Sequence, residues 1–235
     1  MNIPYSRLAL LACLGLSLPL VYAQPTDETF RANLRFFNPV SDTRQLYFMS
    51  ASHDREIRAT FNGPSGRYKY EGESPRLVLY RKSGSGENIQ RTPVGTATLP
   101  SSGGDYLVFL VPEKPDSNNL LTRVFADDTR NFPRGHTRVY NLSSEPVAIQ
   151  YGTARLMVAP GSIEMVDNTD ADLPALGKNG APPERGLDTP IRVGVSKNGE
   201  WKMIYRAIWY LSRQARHSIF ILPQNGGFQV LQVSD

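Results

Sequence analysis

Four short runs between residues 137 and 167 decide the fold: TRVYNL (Thr137–Leu142), VAIQY (Val147–Tyr151), RLMVA (Arg155–Ala159) and SIEMVD (Ser162–Asp167). Apolar and polar residues alternate in them with period two. Successive side chains of a strand point to opposite faces, so this pattern reads as half-buried β-structure. Valine, isoleucine and tyrosine suit a pleated surface. Short turn segments separate the runs, Pro160-Gly161 among them. Four strands in about thirty residues leave no room for intervening helices, so neighbouring strands are antiparallel.

The same signature extends in both directions. Upstream it predicts strands at Asn33–Asn38, Gln45–Ser50, Glu56–Asn62, Arg76–Arg81, Val94–Leu99, Asp105–Val111 and Leu120–Phe125. Downstream it predicts strands at Ile191–Ser196, Trp201–Leu211, Ser218–Leu222 and Phe228–Val233. Gly63-Pro64, Ser83-Gly84-Ser85-Gly86, Ser101-Ser102-Gly103-Gly104 and Asn225-Gly226-Gly227 mark turns. Asn198-Gly199 predicts a two-residue hairpin turn, since both residues tolerate positive φ. Within Trp201–Leu211 the residues Trp201, Ile204, Tyr205, Ile208 and Leu211 also fit one helix face. With Gly199 just before the run and no adjacent N-cap, the strand reading is preferred.

Composition agrees. The chain has 235 residues, a net charge of +4 and 40% hydrophobic residues, which excludes a disordered polyampholyte. Gly and Pro are somewhat enriched, as expected of many turns. Residues 1–23 form an export signal: Arg7, an apolar run from Leu8 to Leu20, then Val21-Tyr22-Ala23 with small residues where a signal peptidase cleaves. The run is too short for a membrane anchor. Cys13 in Leu10-Leu11-Ala12-Cys13 resembles a lipoprotein acylation site, but it lies too close to Arg7. Cleavage after Ala23 leaves 212 residues without cysteine and a balance of +3. Periplasm is the expected compartment, with extracellular release as the alternative.

Arg35-Phe36-Phe37-Asn38-Pro39-Val40 parallels Arg138-Val139-Tyr140-Asn141-Leu142-Ser143, each followed by a second strand. Two related units are therefore expected, 24–115 and 116–235, linked by Pro112–Asn119. The expected class is all-β, two tandem antiparallel β-sandwiches of immunoglobulin-like type. Residues 168–189 form a long polar loop rich in Gly and Pro, a length that suits a partner-binding segment.

Chemistry-bearing motifs are sparse. Asp167, Asp170 and Asp172 are weak Ca²⁺ candidates, because the spacing of an EF-hand and its closing glutamate are missing. His53, His136 and His217 are scattered, and no nucleophile elbow or phosphate-binding loop appears. No cofactor is expected. Arginine outnumbers lysine 20 to 6, but the charge is spread evenly over the two halves, which argues against a nucleic-acid footprint. The most suggestive surface feature is Trp201–Leu211. As a regular strand it places Trp201, Tyr205 and Trp209 on one face. Such rings stack on sugars, and Arg206 on the opposite face offers a planar fork for carboxylates or phosphates.

Phe132-Pro133-Arg134-Gly135, Asn141-Leu142-Ser143, Pro160-Gly161 and Ser218-Ile219-Phe220-Ile221-Leu222-Pro223 resemble a group of bacterial exported β-sandwich proteins of unknown function. The resemblance covers the C-terminal half and implies a sandwich fold and an envelope setting, with no catalytic residues to carry over. The expected function is a non-catalytic binding or structural module of the cell envelope, acting through a sheet edge or the 168–189 loop on an envelope protein. The alternatives are a glycan-binding protein and a carboxylate-dependent hydrolase. The oligomeric state is left open.

Overall fold

The computed structural model describes residues 29–41, 43–114, 117–168, 187–212, 214–224 and 226–235. The export signal, Cys13, Asp170, Asp172 and most of the 168–189 loop lie outside them. Sixteen strands are described: β1 (Phe30–Phe37), β2 (Leu46–Ser50), β3 (His53–Ile57), β4 (Tyr68–Gly72), β5 (Arg76–Ser83), β6 (Gln90–Thr98), β7 (Gly104–Pro112), β8 (Leu120–Ala126), β9 (His136–Asn141), β10 (Val147–Tyr151), β11 (Ala154–Val158), β12 (Ile163–Asp167), β13 (Leu187–Lys197), β14 (Glu200–Leu211), β15 (His217–Gln224) and β16 (Gly227–Ser234). They form four sheets of four strands, and among the described residues there is no α-helix. No helix among them is long and apolar enough to cross a membrane.

The sheets repeat one plan. Strands β1–β8 give the orders β4-β1-β7-β8 and β3-β2-β5-β6; β9–β16 give β12-β9-β15-β16 and β11-β10-β13-β14. Adding eight to each label of the first set reproduces the second. In both halves the first strand pairs in parallel with the seventh, β1 with β7 and β9 with β15. All other pairings are antiparallel. The Asn turns found in the sequence close the first strand of each half. Asn38 Oδ1 accepts the Val40 N–H at 3.0 Å; Asn141 Oδ1 accepts the Ser143 N–H at 3.1 Å. Asn141 is fully buried, and its Nδ2 donates to the Glu145 carbonyl at 2.8 Å and the Val158 carbonyl at 3.0 Å. A buried amide is tolerable only with such partners.

Pro112–Asn119 is not a linker. Its ends belong to the β7–β8 hairpin, where Pro112 pairs with Leu120 and the Glu113 N–H bonds the Asn119 carbonyl at 2.9 Å. The chain therefore passes from one half to the other after β8, through residues 127–135. The sequence reading broke the chain one hairpin early, because prolines and polar residues serve a long turn as well as a linker.

Three apolar cores stack through the molecule. Leu34 and Phe36 of β1, Leu46 and Phe48 of β2, Leu77 and Leu79 of β5 and Val108 of β7 join the two sheets of the first half. Val139, Ile149, Tyr151, Val193 and Ile219 do the same in the second. A third core lies between the halves, where the two sheets containing the parallel pairs face each other. It comprises Phe37, Leu107 and Phe109 against Tyr140, Phe220, Leu222 and Val233. Phe37 pairs with Phe109 in the first half as Tyr140 pairs with Phe220 in the second. The four rings meet: Phe220 lies 4.5 Å from Tyr140, 4.9 Å from Phe37 and 5.4 Å from Phe109, between centroids. Each buried ring contributes roughly 1.5–3 kcal/mol.

Beside this core sits an ion cluster with the same pseudo-symmetry. Asp127 follows β8 and Asp235 follows β16. The Asp127 N–H bonds the Asp105 carbonyl, and the Asp235 N–H bonds the Arg216 carbonyl. Arg35 pairs with both carboxylates, reaching Asp127 at 3.3 Å. Arg216 also reaches both, at 3.2 Å and 2.6 Å. Burial pushes the Asp127 carboxyl up despite the two arginines. Burial also raises Asp235, but bonds and charge from Arg216 and Arg35 outweigh it and hold that group below its usual value. Two cations and two anions neutralise each other, so this cluster joins the halves and leaves no free charge for a ligand.

Candidate binding surface

The centres of the sheets between the halves cover one another, and solvent reaches those sheets at edge strands such as β8 and β12, whereas the outer sheets each present a whole face. The outer sheet of the second half ends in β14, a strand of twelve residues without proline, glycine or a helical break. It settles the strand-or-helix question in favour of a strand. The hairpin turn at Asn198-Gly199 has φ of 54° and 82°, as the sequence predicts.

The register corrects the expected aromatic face. Val193 pairs with Tyr205, but the next pair is Gly194 with Met203, so Ile204 is an extra residue that bulges. A bulge puts the flanking residues out of phase. Tyr205 and Trp209 stay on the inner face beside the core, where Trp209 is buried and its Nε1 donates to Tyr205 Oη at 3.0 Å. Trp201 and Met203 turn to the outer face with Arg206, Ile208 and Tyr210. Trp201, Tyr205 and Trp209 therefore do not form one platform. Nothing in the run marks the bulge, as glycine commonly does.

What emerges is a broader outer face. Trp201 is 51% exposed, Met203 59%, Ile208 71% and Tyr210 54%, and Met157 on β11 is 59% exposed. Across the sheet, Met157, Ala148, Gly194 and Met203 are consecutive cross-strand partners. Gly194 leaves a shallow seat, and Trp201 fills it: its Cε3 lies 3.8 Å from the place a Cβ would occupy. The next row holds Arg155, Gln150, Arg192 and Arg206, again direct partners from strand to strand. All three arginines are exposed, and Arg192 donates to Gln150 Oε1 at 3.4 Å. No carboxylate among the described residues lies within ion-pair distance of any of the three. Of these residues the sequence reading singled out Trp201 and Arg206. Arg155, Arg192 and Met157 are brought in by pairing with β10 and β13, which local patterning does not encode.

Other features are weaker candidates. Asp167 lies at the end of β12, its carboxylate 3.9 Å from His136 Nε2. No group of three or more His, Cys, Asp or Glu able to hold a metal occurs among the described residues. Glu71 and Glu73 line one open hollow, but Glu71 is already paired with Arg31 at 3.7 Å. A hollow of about 500 Å³ between the halves is walled by Val40, Phe109, Leu121, Leu142 and Leu222, with Arg123 at its rim.

No protein-family model matches the chain, and no curated protein matches it.

Proposed function

We propose that this protein is a non-catalytic binding module of the bacterial cell envelope, and that it works through the outer sheet of its second half and the free edge of β14. The edge carries the reading. Among the described strands β14 pairs with β13 alone, and its outer face is apolar over most of its length. Proteins ordinarily blunt such edges with proline, charge, a bulge or a covering element; β14 gathers its charges and its bulge within Glu200–Arg206, and the stretch from Ala207 to Leu211 beyond them carries none, so its open row of backbone groups templates strand addition. A partner's extended segment added there gains main-chain hydrogen bonds along β14, with its side chains beside Ile208 and Tyr210. The Leu8–Leu20 run and Val21-Tyr22-Ala23 support export. The immunoglobulin-like variant of the sandwich rests on the two-sheet layering; the four-plus-four order with a parallel β1·β7 pair departs from the four-plus-three order of immunoglobulin domains.

Photo-crosslinking in cells tests the edge, with the reactive side chain at Ile208 and, as the control, at Met49 on the other outer sheet. An adduct from position 208 whose cross-link maps to an extended segment of the partner supports the reading. Equal adducts from both positions, or none from 208, overturn it. N-terminal sequencing of the periplasmic fraction is expected to begin at Gln24; a chain still starting at Met1 refutes export with cleavage.

A further inference from the structure

We propose that the outer face of β11-β10-β13-β14 binds an anionic, carboxylate-bearing polysaccharide, held by Arg155, Arg192 and Arg206 with a sugar ring stacked on Trp201. This names a ligand for the surface just described. It uses the face and not the edge, so it stands even if β14 pairs with nothing.

The first observation is the register. Arg192 and Arg206 are direct cross-strand partners on the same face, and Arg155 is one strand beyond Gln150 in the same row. Side chains directly opposite stand about 5 Å apart at Cβ, where like charges repel. Four exposed arginines elsewhere have carboxylates: Arg31 with Glu71, Arg58 with Glu56, Arg67 with Asp105, Arg91 with Asp54. Others, such as Arg55, Arg76 and Arg123, have none among the described residues, but they face Phe48, Thr98 and Phe109 across their strand pairs and not another arginine. In the stripe three stand abreast with no carboxylate among the described residues. An anion set between them removes the repulsion and accepts forked hydrogen bonds from the guanidinium planes. Strands are spaced about 4.8 Å apart, so the row spans about 14 Å, the reach of a ligand with several charges.

The second observation is Trp201. Its indole lies back over Gly194, in the row next to the arginines, with about half of its surface open. A ring laid against the sheet offers a face for the apolar side of a sugar. Met157 and Met203 at the ends of the same row add polarizable contact area.

The mature protein is titrated with polygalacturonate, with neutral dextran of similar size, and with vesicles of phosphatidylglycerol and phosphatidylcholine. Polygalacturonate is expected to bind and dextran not to. Arg192→Gln with Arg206→Gln is expected to weaken binding at least tenfold and to reduce its salt dependence. Trp201→Ala should cost several-fold with the salt dependence unchanged. Gln150→Glu, which places a carboxylate inside the stripe, should weaken binding at least as much as the double arginine variant. Arg58→Gln with Arg76→Gln removes two exposed arginines from the first half and is expected to change little. An equal loss in that pair assigns binding to overall charge and overturns the proposal, as does retention on vesicles without polygalacturonate binding. Thermal melts confirm that each variant is folded. Tyr210→Lys, with the reactive side chain kept at position 208, separates the two readings: it is expected to abolish the edge adduct while polygalacturonate still binds.

Discussion

The two outer sheets follow one strand order and treat their charges in opposite ways. On β3-β2-β5-β6 two cations, Lys82 and Arg91, converge on one carboxylate. Asp54 accepts from Tyr80 Oη at 2.5 Å, Lys82 at 3.2 Å and Arg91 at 3.1 and 3.2 Å, and the Lys82 ammonium also sits 4.2 Å above the Tyr47 ring. Arg91, Tyr80 and Lys82 hold the Asp54 carboxyl well below its usual range. Burial and the nearby carboxylate push the Tyr80 hydroxyl up to about 12. The edge there is closed as well: β6 contains Pro93, and Thr122 Oγ1 from β8 donates to the Thr96 carbonyl at 2.6 Å. On β11-β10-β13-β14 the arginines have no carboxylate among the described residues, and the edge is open. The first sheet pairs Lys82 and Arg91 within itself and covers its β6 edge, while the second has an arginine row and an edge, open among the described residues, that a ligand would complete.

The sharpest way to break the comparison is through what the halves share. Phe220→Ala removes the ring at the centre of the core between them and should destabilise both together by about 3–5 kcal/mol, read as a lower urea midpoint. If far-UV circular dichroism and tryptophan fluorescence then separate, the halves unfold independently; both tryptophans lie in the second half. Next in size, Asp54→Ala strands two cations and the Tyr80 hydroxyl and should cost about 1.5–3 kcal/mol. A change below about 0.5 kcal/mol would mean the first outer sheet does not depend on its cluster.

Acid should reach the halves at different pH. His217, on β15, is buried; its Nε2 accepts the Ser212 N–H at 3.0 Å and its Nδ1 lies 2.8 Å from Ser234 Oγ. Burial lowers its pKa, so the unfolded chain binds the proton more readily. Stability is then present above the usual histidine value of about 6.5 and falls as pH drops below it. Asp54 is lowered too, so its contribution is present above the usual aspartate value of about 3.9 and is lost only below that. Urea titrations across pH should give a first decline that His217→Gln flattens and a later one that Asp54→Asn flattens. A single decline insensitive to His217→Gln refutes the assignment.

Two smaller effects sharpen the contrast. Gln150→Glu supplies the arginine row of the second outer sheet with a carboxylate and should stabilise the free protein by about 0.2–1 kcal/mol. Ile208→Lys, on the open edge, should change stability by no more than about 0.5 kcal/mol.

Much of the fold was legible because turns and strands are local. Period-two runs and Gly, Pro or Asn turns located every strand except β3 and β4: β3 runs over His53–Ile57 and shares only Glu56 and Ile57 with the expected Glu56–Asn62, because its His-Asp-Arg-Glu start is polar throughout, and β4, Tyr-Lys-Tyr-Glu-Gly, offers two apolar residues between charged neighbours. The Asn38 and Asn141 turns pointed to the repeat. Its other members, Phe109 and Phe220, lie in strands that meet Phe37 and Tyr140 across about seventy to eighty residues, and Arg35 reaches Asp127 and Asp235 from farther still; no local pattern reports that. The candidate surface was legible in part. Arg206 and Trp201 stand on it, but the bulge at Ile204 reversed which aromatic neighbours they have.

The parallel pairs have a consequence for the order of assembly. Neither half can complete its inner sheet until its seventh strand arrives, because β1 waits for β7 and β9 for β15. Such distant closures make folding slow compared with a chain of hairpins. During that wait Phe37 has neither Phe109 beside it nor Phe220 above it. A chain emerging from its N-terminus keeps an apolar face uncovered until nearly its last strands are made.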